Sequence, residues 1–393
     1  MKVLFLSNLY PDTTDPVRGL DNATLLPYLA EHCDVRVLAL RPALPFRDAR
    51  IHALQCRAVD ARFEPVFTPV RYLPKIGSRL NPALYAGSLR EPLMKLRERF
   101  AFDVILCSWV YPDGTAVARL APELGCPFVL IAQGSDVHAY LEHPVRRRFI
   151  LETVDRAAAL ITRSADLARR LREAGAQADK LHPIYNGVDT ATFRPADRAG
   201  ARSALNLPPD AGIVLYVGNL LPVKNPLLAV RAHAELCRRL PAKNPLLLMI
   251  GAGPLADAVR AEASALGIGE RVRLLGRQPP AEVARFMQAA DTLCLSSDNE
   301  GVPNVILEAF ACGLRVVATK VGGIAEVLPH DFLGRLVAKG SVEELAGALT
   351  QLLEQPPNAP AILAHAAKFS WQQTAGAYFK LLQRAAAVGE QRR

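Results

Sequence analysis

The sequence predicts an α/β protein built as two doubly wound domains, each around a parallel sheet. Three observations predict it. Short apolar runs alternate with stretches of helical periodicity, and the series occurs twice. The runs are apolar throughout, as in strands covered on both faces, and do not alternate with polar residues. At 393 residues the chain is too long for one ordinary core.

In the first half the strand-like runs are residues 3–6, 35–40, 104–107, 128–131, 160–162 and 181–185. The start of the chain is basic then apolar, like a leader. Its apolar core is short, however, and Asn8, Asp12 and Asp15 follow at once, so it reads as a buried strand. Ser164 suits the N-cap of a helix over residues 165–174, and Gly175 suits its stop. In the second half the runs are 213–217, 246–250, 272–275, 292–295, 315–319 and 334–336. Two Rossmann-like domains follow, at 1–195 and 196–370. The aperiodic, proline-containing stretch 195–209 is the expected hinge. Residues 371–387 repeat apolar positions at helical spacing.

Half of the residues are hydrophobic and 22% are charged, which excludes a disordered chain. No apolar run reaches the roughly 20 residues a bilayer span needs. Seven cysteines are scattered without metal-ligand spacing and read as reduced core thiols of a cytosolic protein. The eight histidines form no His/Cys cluster, so no metal site is expected. The net charge is +9, but no nucleic-acid motif accompanies it; phosphorylated ligands or an anionic membrane remain. Residues 71–99 mix seven Lys and Arg side chains with apolar ones. Such a surface can lie on anionic lipid, or can be a solvated helix face with a packed apolar side.

The chemistry concentrates in Ser296-Ser297-Asp298-Asn299-Glu300-Gly301-Val302-Pro303-Asn304-Val305-Ile306-Leu307-Glu308. Glu300 falls in a polar turn. Pro303 suits the first position of a helix, where its missing N–H costs nothing. Glu308 would then lie about five residues, or roughly 7.5 Å, along that helix. Two carboxylates would flank helix-start N–H groups, those of Asn304 and Val305 among them. Amides suit an anion and carboxylates suit hydroxyls, a pairing that fits a nucleotide-diphospho-sugar. Gly301 lets backbone approach the sugar. Gly218-Asn219 follows the run 213–217, and Lys224 comes shortly after, placed to hold phosphate as a point charge. Gly251-Ala252-Gly253-Pro254 follows the run 246–250; Gly-x-Gly is often only a strand-to-helix turn.

In this context Glu300 and Glu308 resemble the E-x7-E signature of the retaining glycosyltransferases of family 4. The likeness extends over nearly the whole chain and is strongest from 181 to 328. It implies a GT-B fold, with two Rossmann-like domains facing across a cleft. The N-terminal domain would bind the acceptor and the C-terminal one the nucleotide-sugar, and the final helix, 371–393, would cross back onto the first domain. It implies transfer from a UDP- or GDP-sugar with retention of configuration and no required metal or other cofactor. Glycan or lipid-linked acceptors, and cell-surface polysaccharide synthesis at the cytoplasmic face of the membrane, are the family habit.

Residue by residue, Glu300 would face the donor sugar and Glu308 the ribose, with Lys224 at the diphosphate. Gly218, Asn219, Gly251 and Gly253 would line the nucleotide. Gly19 would approach the pyrophosphate, where relatives carry a Gly pair and this chain has Arg18-Gly19. Asp136 in Gln133-Gly134-Ser135-Asp136 matches the Asp of an H-G-x-D motif and is a candidate catalytic group. Two departures stand out: Asn219 replaces an expected Arg, and Gln133 an expected His. Asn186-Gly187-Val188-Asp189 with Phe193 and Pro195 matches N-G-V-D-x-x-x-F-x-P. Rival readings are a sugar-nucleotide epimerase or a phosphorylase on the same fold, or a non-catalytic subunit that binds nucleotide-sugar or glycan.

Overall fold

The computed structural model describes residues 1–15, 18–44 and 58–390. Cys56 lies outside them. They form two compact units: Met1–Asn186 with Trp371–Arg393, and Gly187–Ser370.

The first unit holds a seven-stranded sheet. In chain order its strands are β1 (Lys2–Ser7), β2 (Asp34–Ala43), β3 (Val66–Arg71), β4 (Val104–Ser108), β5 (Phe128–Ala132), β6 (Ala159–Thr162) and β7 (Leu181–Pro183). Their spatial order is β3-β2-β1-β4-β5-β6-β7, and every pairing is parallel. Successive residues of β1 serve opposite faces, as the pleat demands. Leu4 and Leu6 pack with Tyr85, Leu89 and Leu93 of the helix Asn81–Arg99. Val3 and Phe5 pack with Leu25, Leu26 and Leu29 of the helix Leu20–Leu29. The long helix Trp371–Glu390 joins this second face through Trp371, Tyr378 and Leu382. Burying each such large side chain is worth about 1.5–3 kcal/mol.

β3 was not among the strands expected from sequence. Its run, Val-Phe-Thr-Pro-Val-Arg, carries a proline and alternates in burial because it is the edge of the sheet. The helix Ala165–Ala174 begins and ends as its caps predict. Ser164 accepts from the Leu167 N–H at 3.1 Å, and Gly175 turns left-handed at φ 114°.

The second unit holds a six-stranded sheet: β8 (Ile213–Val217), β9 (Leu246–Ile250), β10 (Val272–Gly276), β11 (Thr292–Leu295), β12 (Arg315–Thr319) and β13 (Gly334–Val337). The order is β10-β9-β8-β11-β12-β13, again all parallel. Its core joins Val214 and Tyr216 to Leu228, Leu236, Leu345 and Leu349 from two covering helices.

In each sheet the winding reverses once, between β1 and β4 and between β8 and β11. At such a point the loops leaving the strand ends diverge and open a crevice, where ligands of this architecture bind.

Candidate functional site

In the second unit the loops after β9, β8, β11 and β12 lie side by side, because their strands are neighbours. Lys224 ends the short turn Pro222–Lys224 after β8. Glu300 lies in the loop after β11. They meet across the reversal: Lys224 Nζ is 2.5 Å from Glu300 Oε1. The carboxylate side chain is 9% exposed and the lysine 28%, so solvent reaches the pair chiefly at the lysine. The Ser297 hydroxyl donates to the same Oε1 at 2.7 Å. Beneath them, Ser296 Oγ donates to the Asn225 carbonyl at 2.7 Å, and the Asp298 N–H donates to the Val223 carbonyl at 2.8 Å. These bonds fix the two loops to each other, so the pairing is built into the backbone.

The loop after β12 closes the other side. Gly322 has φ 52°, and a Cβ there would stand 1.8 Å from the Glu300 carbonyl oxygen. Only glycine lets this loop press so close. The Gly323 N–H then donates to the Gly301 carbonyl at 3.0 Å. Gly301 itself faces open space on the side a Cβ would occupy.

Gly251 and Gly253 serve loop packing: Cβ atoms there would stand 1.9 Å from the Gly218 carbonyl oxygen and 2.4 Å from that of Leu220. The Gly218 N–H is taken by Ile250. Asn219 is exposed at the loop tip, and its carbonyl accepts from Tyr216 Oη at 3.4 Å. Burial, then the charges of Cys294 and Glu300, push that phenol up.

The helix after Glu300 is Asn304–Ala311. Pro303 is its N-cap, one position before the expected one, so Asn304 and Val305 are the first two helical residues. The Ile306 N–H turns back to the Pro303 carbonyl at 3.1 Å. Glu308 is half-buried in the first turn and a half. Burial, with the Glu308 charge next, pushes the Cys312 thiol up to about 12.

In the first unit the predicted residues fare differently. Asp136 is wholly buried, and both of its oxygens are engaged. Oδ2 accepts from the Val110 N–H at 3.0 Å; Oδ1 accepts from those of Gln133 and Gly134 at 2.9 Å. It clamps the loops after β4 and β5 together. Burial raises its pKa despite these donors. That is the setting of a carboxylate that fixes loop geometry.

Gln133 donates to Asn22 Oδ1 at 2.9 Å and to Ser108 Oγ at 2.7 Å, a polar link that an imidazole could not make in the same way. Gly19 precedes the helix Leu20–Leu29 and packs on the Leu9 carbonyl. Arg18 pairs with Asp15 at 3.3 Å. Asn186 accepts from Arg163 and donates to Asp21 at 3.3 Å, while Val188, in the second unit, pairs with Ser370. The N-G-V-D motif thus spans the point where the chain passes from the first unit to the second.

Sequence reasoning missed three features here. Asp113 is wholly buried and accepts from the Asn8 N–H at 2.7 Å and from Asn8 Nδ2 at 2.9 Å. Trp109 has φ 84°. Arg41, itself buried, ties Asp12 at 2.7 Å; burial would raise that carboxyl, but Thr14, the Asp15 N–H and Arg41 hold it at about 2. None of these has a local signature, because the partners lie up to 105 residues apart.

The helix Asn81–Arg99 buries Tyr85, Leu89 and Leu93 in the core, and Tyr72, Met94 and Leu96 of the basic stretch 71–99 pack against it half-buried. Ile76, 86% exposed, and Leu80, 57% exposed, stand open beside Lys75 and Arg79. Among the described residues no helix is long and apolar enough to cross a membrane. Nor do three His, Cys, Asp or Glu side chains gather there as a metal site would require.

Two parallel Rossmann-like sheets in separate units are the architecture of the GT-B class, to which the glycosyltransferases among the neighbours belong. The fold has close counterparts among solved structures. The Anabaena protein Alr3699/HepE in complex with UDP superposes with a TM-score of 0.75 at 21% identity, covering 98% of this chain and 100% of that one. Sucrose-phosphate synthase from Thermosynechococcus elongatus gives 0.77 at 20% identity, covering 99% and 100%. Two family models match in sequence: Glycosyltransferase Family 4 over residues 22–192, and Glycosyl transferases group 1 over residues 197–369. The chain belongs to the family-4 type of glycosyltransferases. It is similar to the D-inositol 3-phosphate glycosyltransferase of Nocardia farcinica, at 36% identity over 256 residues, 62% of this chain and 56% of that protein. The chain spans about half the length of the curated relatives it matches.

Proposed function

We propose that the protein transfers a sugar from a UDP- or GDP-sugar to a hydroxyl of a glycan or lipid-linked acceptor, with retention of configuration and without a resident metal. One observation carries this reading: the Lys224–Glu300 pair at the β8/β11 reversal. The cation is held ready for a diphosphate, and the carboxylate is placed for sugar hydroxyls. Glu308 serves the ribose, as an acidic residue does in nucleotide folds. Asn304 and Val305 offer the helix start to phosphate. The UDP complex of the Anabaena neighbour supports a UDP-sugar as the first donor to try.

In the reaction the bond from the anomeric carbon to the leaving phosphate oxygen breaks, and a bond to the acceptor oxygen forms. The acceptor proton passes to the departing phosphate. Lys224 offsets the charge that develops there. The relatives' acceptor, a phosphorylated inositol by their name, makes a cyclic polyol phosphate the first acceptor to screen. Cell-surface polysaccharide synthesis at the cytoplasmic face of the membrane suits the exposed Ile76 and Leu80, which follow Lys75 and Arg79 in sequence. Sedimentation with anionic vesicles that persists in Ile76→Ser/Leu80→Ser would remove that contact.

The main test is incubation with labelled UDP- and GDP-sugars, with thermal shift alongside. Transfer or slow donor hydrolysis supports the reading. Tight nucleotide binding with no turnover of any donor would favour a non-catalytic binding subunit. In Glu308→Ala, calorimetry should show weakened donor affinity in a folded protein; unchanged affinity would remove the ribose role.

A further inference from the structure

We infer that Trp109 is a stacking platform for the acceptor, which the geometry assigns to the class of cyclic polyols, sugars or cyclitols, that present a C–H face to the indole. The inference deepens the transferase reading and rests on it for the word acceptor.

Trp109 is the first residue beyond β4, at the point in the first unit where the winding reverses between β1 and β4. Its backbone stands at φ 84° and ψ 104°. A bulky residue rarely adopts such values, and glycine would take them at no steric cost. A residue held against its preference persists only where the surroundings fix it. Here they do. The Trp109 N–H donates to the Ile131 carbonyl at 3.0 Å, and its carbonyl accepts from the Gly114 N–H at 3.0 Å. Asp136 holds the next residue, Val110, by its N–H.

The ring is braced too. Tyr140 meets it edge-on at 6.1 Å and 90°. Tyr140 is itself fixed by Tyr111 at 5.8 Å and by the Arg146 guanidinium 4.4 Å above it. Tyr111 is anchored in turn, its hydroxyl donating to the Ser78 carbonyl at 2.7 Å. The indole nevertheless stays partly exposed. The chain's other tryptophan, Trp371, behaves as a core residue, 4% exposed and stacked on Tyr28. A backbone-strained, rigidly backed and partly open indole at a ligand-binding edge is poor packing but a good platform. Its π face attracts the electropositive C–H face of a saturated ring, and a flexible linear polyol presents no such face.

The test uses the full chain. Trp371 is buried, so acrylamide quenching reports chiefly on Trp109. Methyl glucosides, myo-inositol and inositol 3-phosphate are the cyclic probes; glycerol and sorbitol are the linear ones. A cyclic probe should shield the indole and a linear one should not, and the arms separate sugar from cyclitol. Trp109→Ala should raise the acceptor KM about tenfold while UDP still gives its full thermal shift, and Trp109→Phe should fall between. Trp109→Gly should be more stable than Trp109→Ala, because only the Cβ separates them at a positive φ. The inference is overturned if no cyclic probe shields Trp109, if linear polyols shield it equally, if Trp109→Ala leaves KM unchanged, or if Trp109→Gly is no more stable than Trp109→Ala. Loss of the UDP shift in the unaltered protein would instead count against the donor reading.

Discussion

Replacing Asp113 by Asn should remove a pH dependence from the first unit. The Asp113 carboxyl is wholly buried and is pushed from its ordinary 3.8 to about 7, chiefly by that burial. The Asn8 N–H donors oppose the shift, and the nearby Asp136 adds to it. The folded protein therefore keeps a proton that the unfolded chain gives up. Stability from this group is complete below 3.8 and is lost as pH rises through about 7. The rise is about three pKa units at about 1.4 kcal/mol each, so the full swing is at most about 4 kcal/mol. An amide carries no titrating proton, and its oxygen can still accept from the Asn8 N–H. The stability of Asp113→Asn relative to the unaltered protein should thus climb by up to about 4 kcal/mol between about pH 4 and about pH 8. Urea unfolding at a series of pH values, with tryptophan emission as the probe, measures this. Both tryptophans lie in the first unit, so the signal reports that unit. Taking the difference between the two proteins cancels the other titrating groups. A difference that stays level across the range would refute the reasoning.

Three more predictions concern the second unit. Lys224→Ala should weaken UDP binding by about 1.5–3 kcal/mol, roughly 10- to 150-fold, as expected for one lost charge-assisted hydrogen bond; equal affinity by calorimetry would mean that the ammonium does not meet the diphosphate. Gly322→Ala forces a Cβ toward the Glu300 carbonyl and should cost about 1–3 kcal/mol of stability together with donor affinity, read by urea midpoint and UDP titration. His233 is buried, and burial holds its pKa down at about 4, so its contribution is present above 6.5 and is lost as pH falls through about 4. The proton NMR titration of its ring should show that low midpoint, and His233→Phe should flatten the acid limb of the second unit's stability.

Much of the architecture was legible because parallel strands buried on both faces leave continuous apolar runs. All six runs of the second half correspond to strands, from Ile213–Val217 to Gly334–Val337. β3 escaped because an edge strand needs neither continuity nor freedom from proline; Pro69 and Arg71 hid it. At the site, Glu300 and Lys224 were legible as types and positions, since a loop off a parallel strand points into the crevice wherever it occurs. Their pairing was not, because it depends on strand order, which brings together residues 76 apart. The partners of Asp136 were hidden for the same reason. A motif records that a carboxylate is needed, and the structure gives it to three backbone N–H groups. The close packing of Gly322 on the Glu300 carbonyl was not legible either, because that neighbour is distant along the chain.

The return of Trp371–Glu390 to the first unit sets an order of assembly on the ribosome. Trp371, Tyr378 and Leu382 belong to the same apolar cluster as Val3 and Phe5. The half translated first therefore waits, with one face of its sheet only partly covered, until the helix Trp371–Glu390 emerges. The half translated second has every strand it needs by then. Chaperone demand during synthesis should accordingly fall on the amino-terminal portion, and a stop codon just before Trp371 would strand that portion while sparing its neighbour.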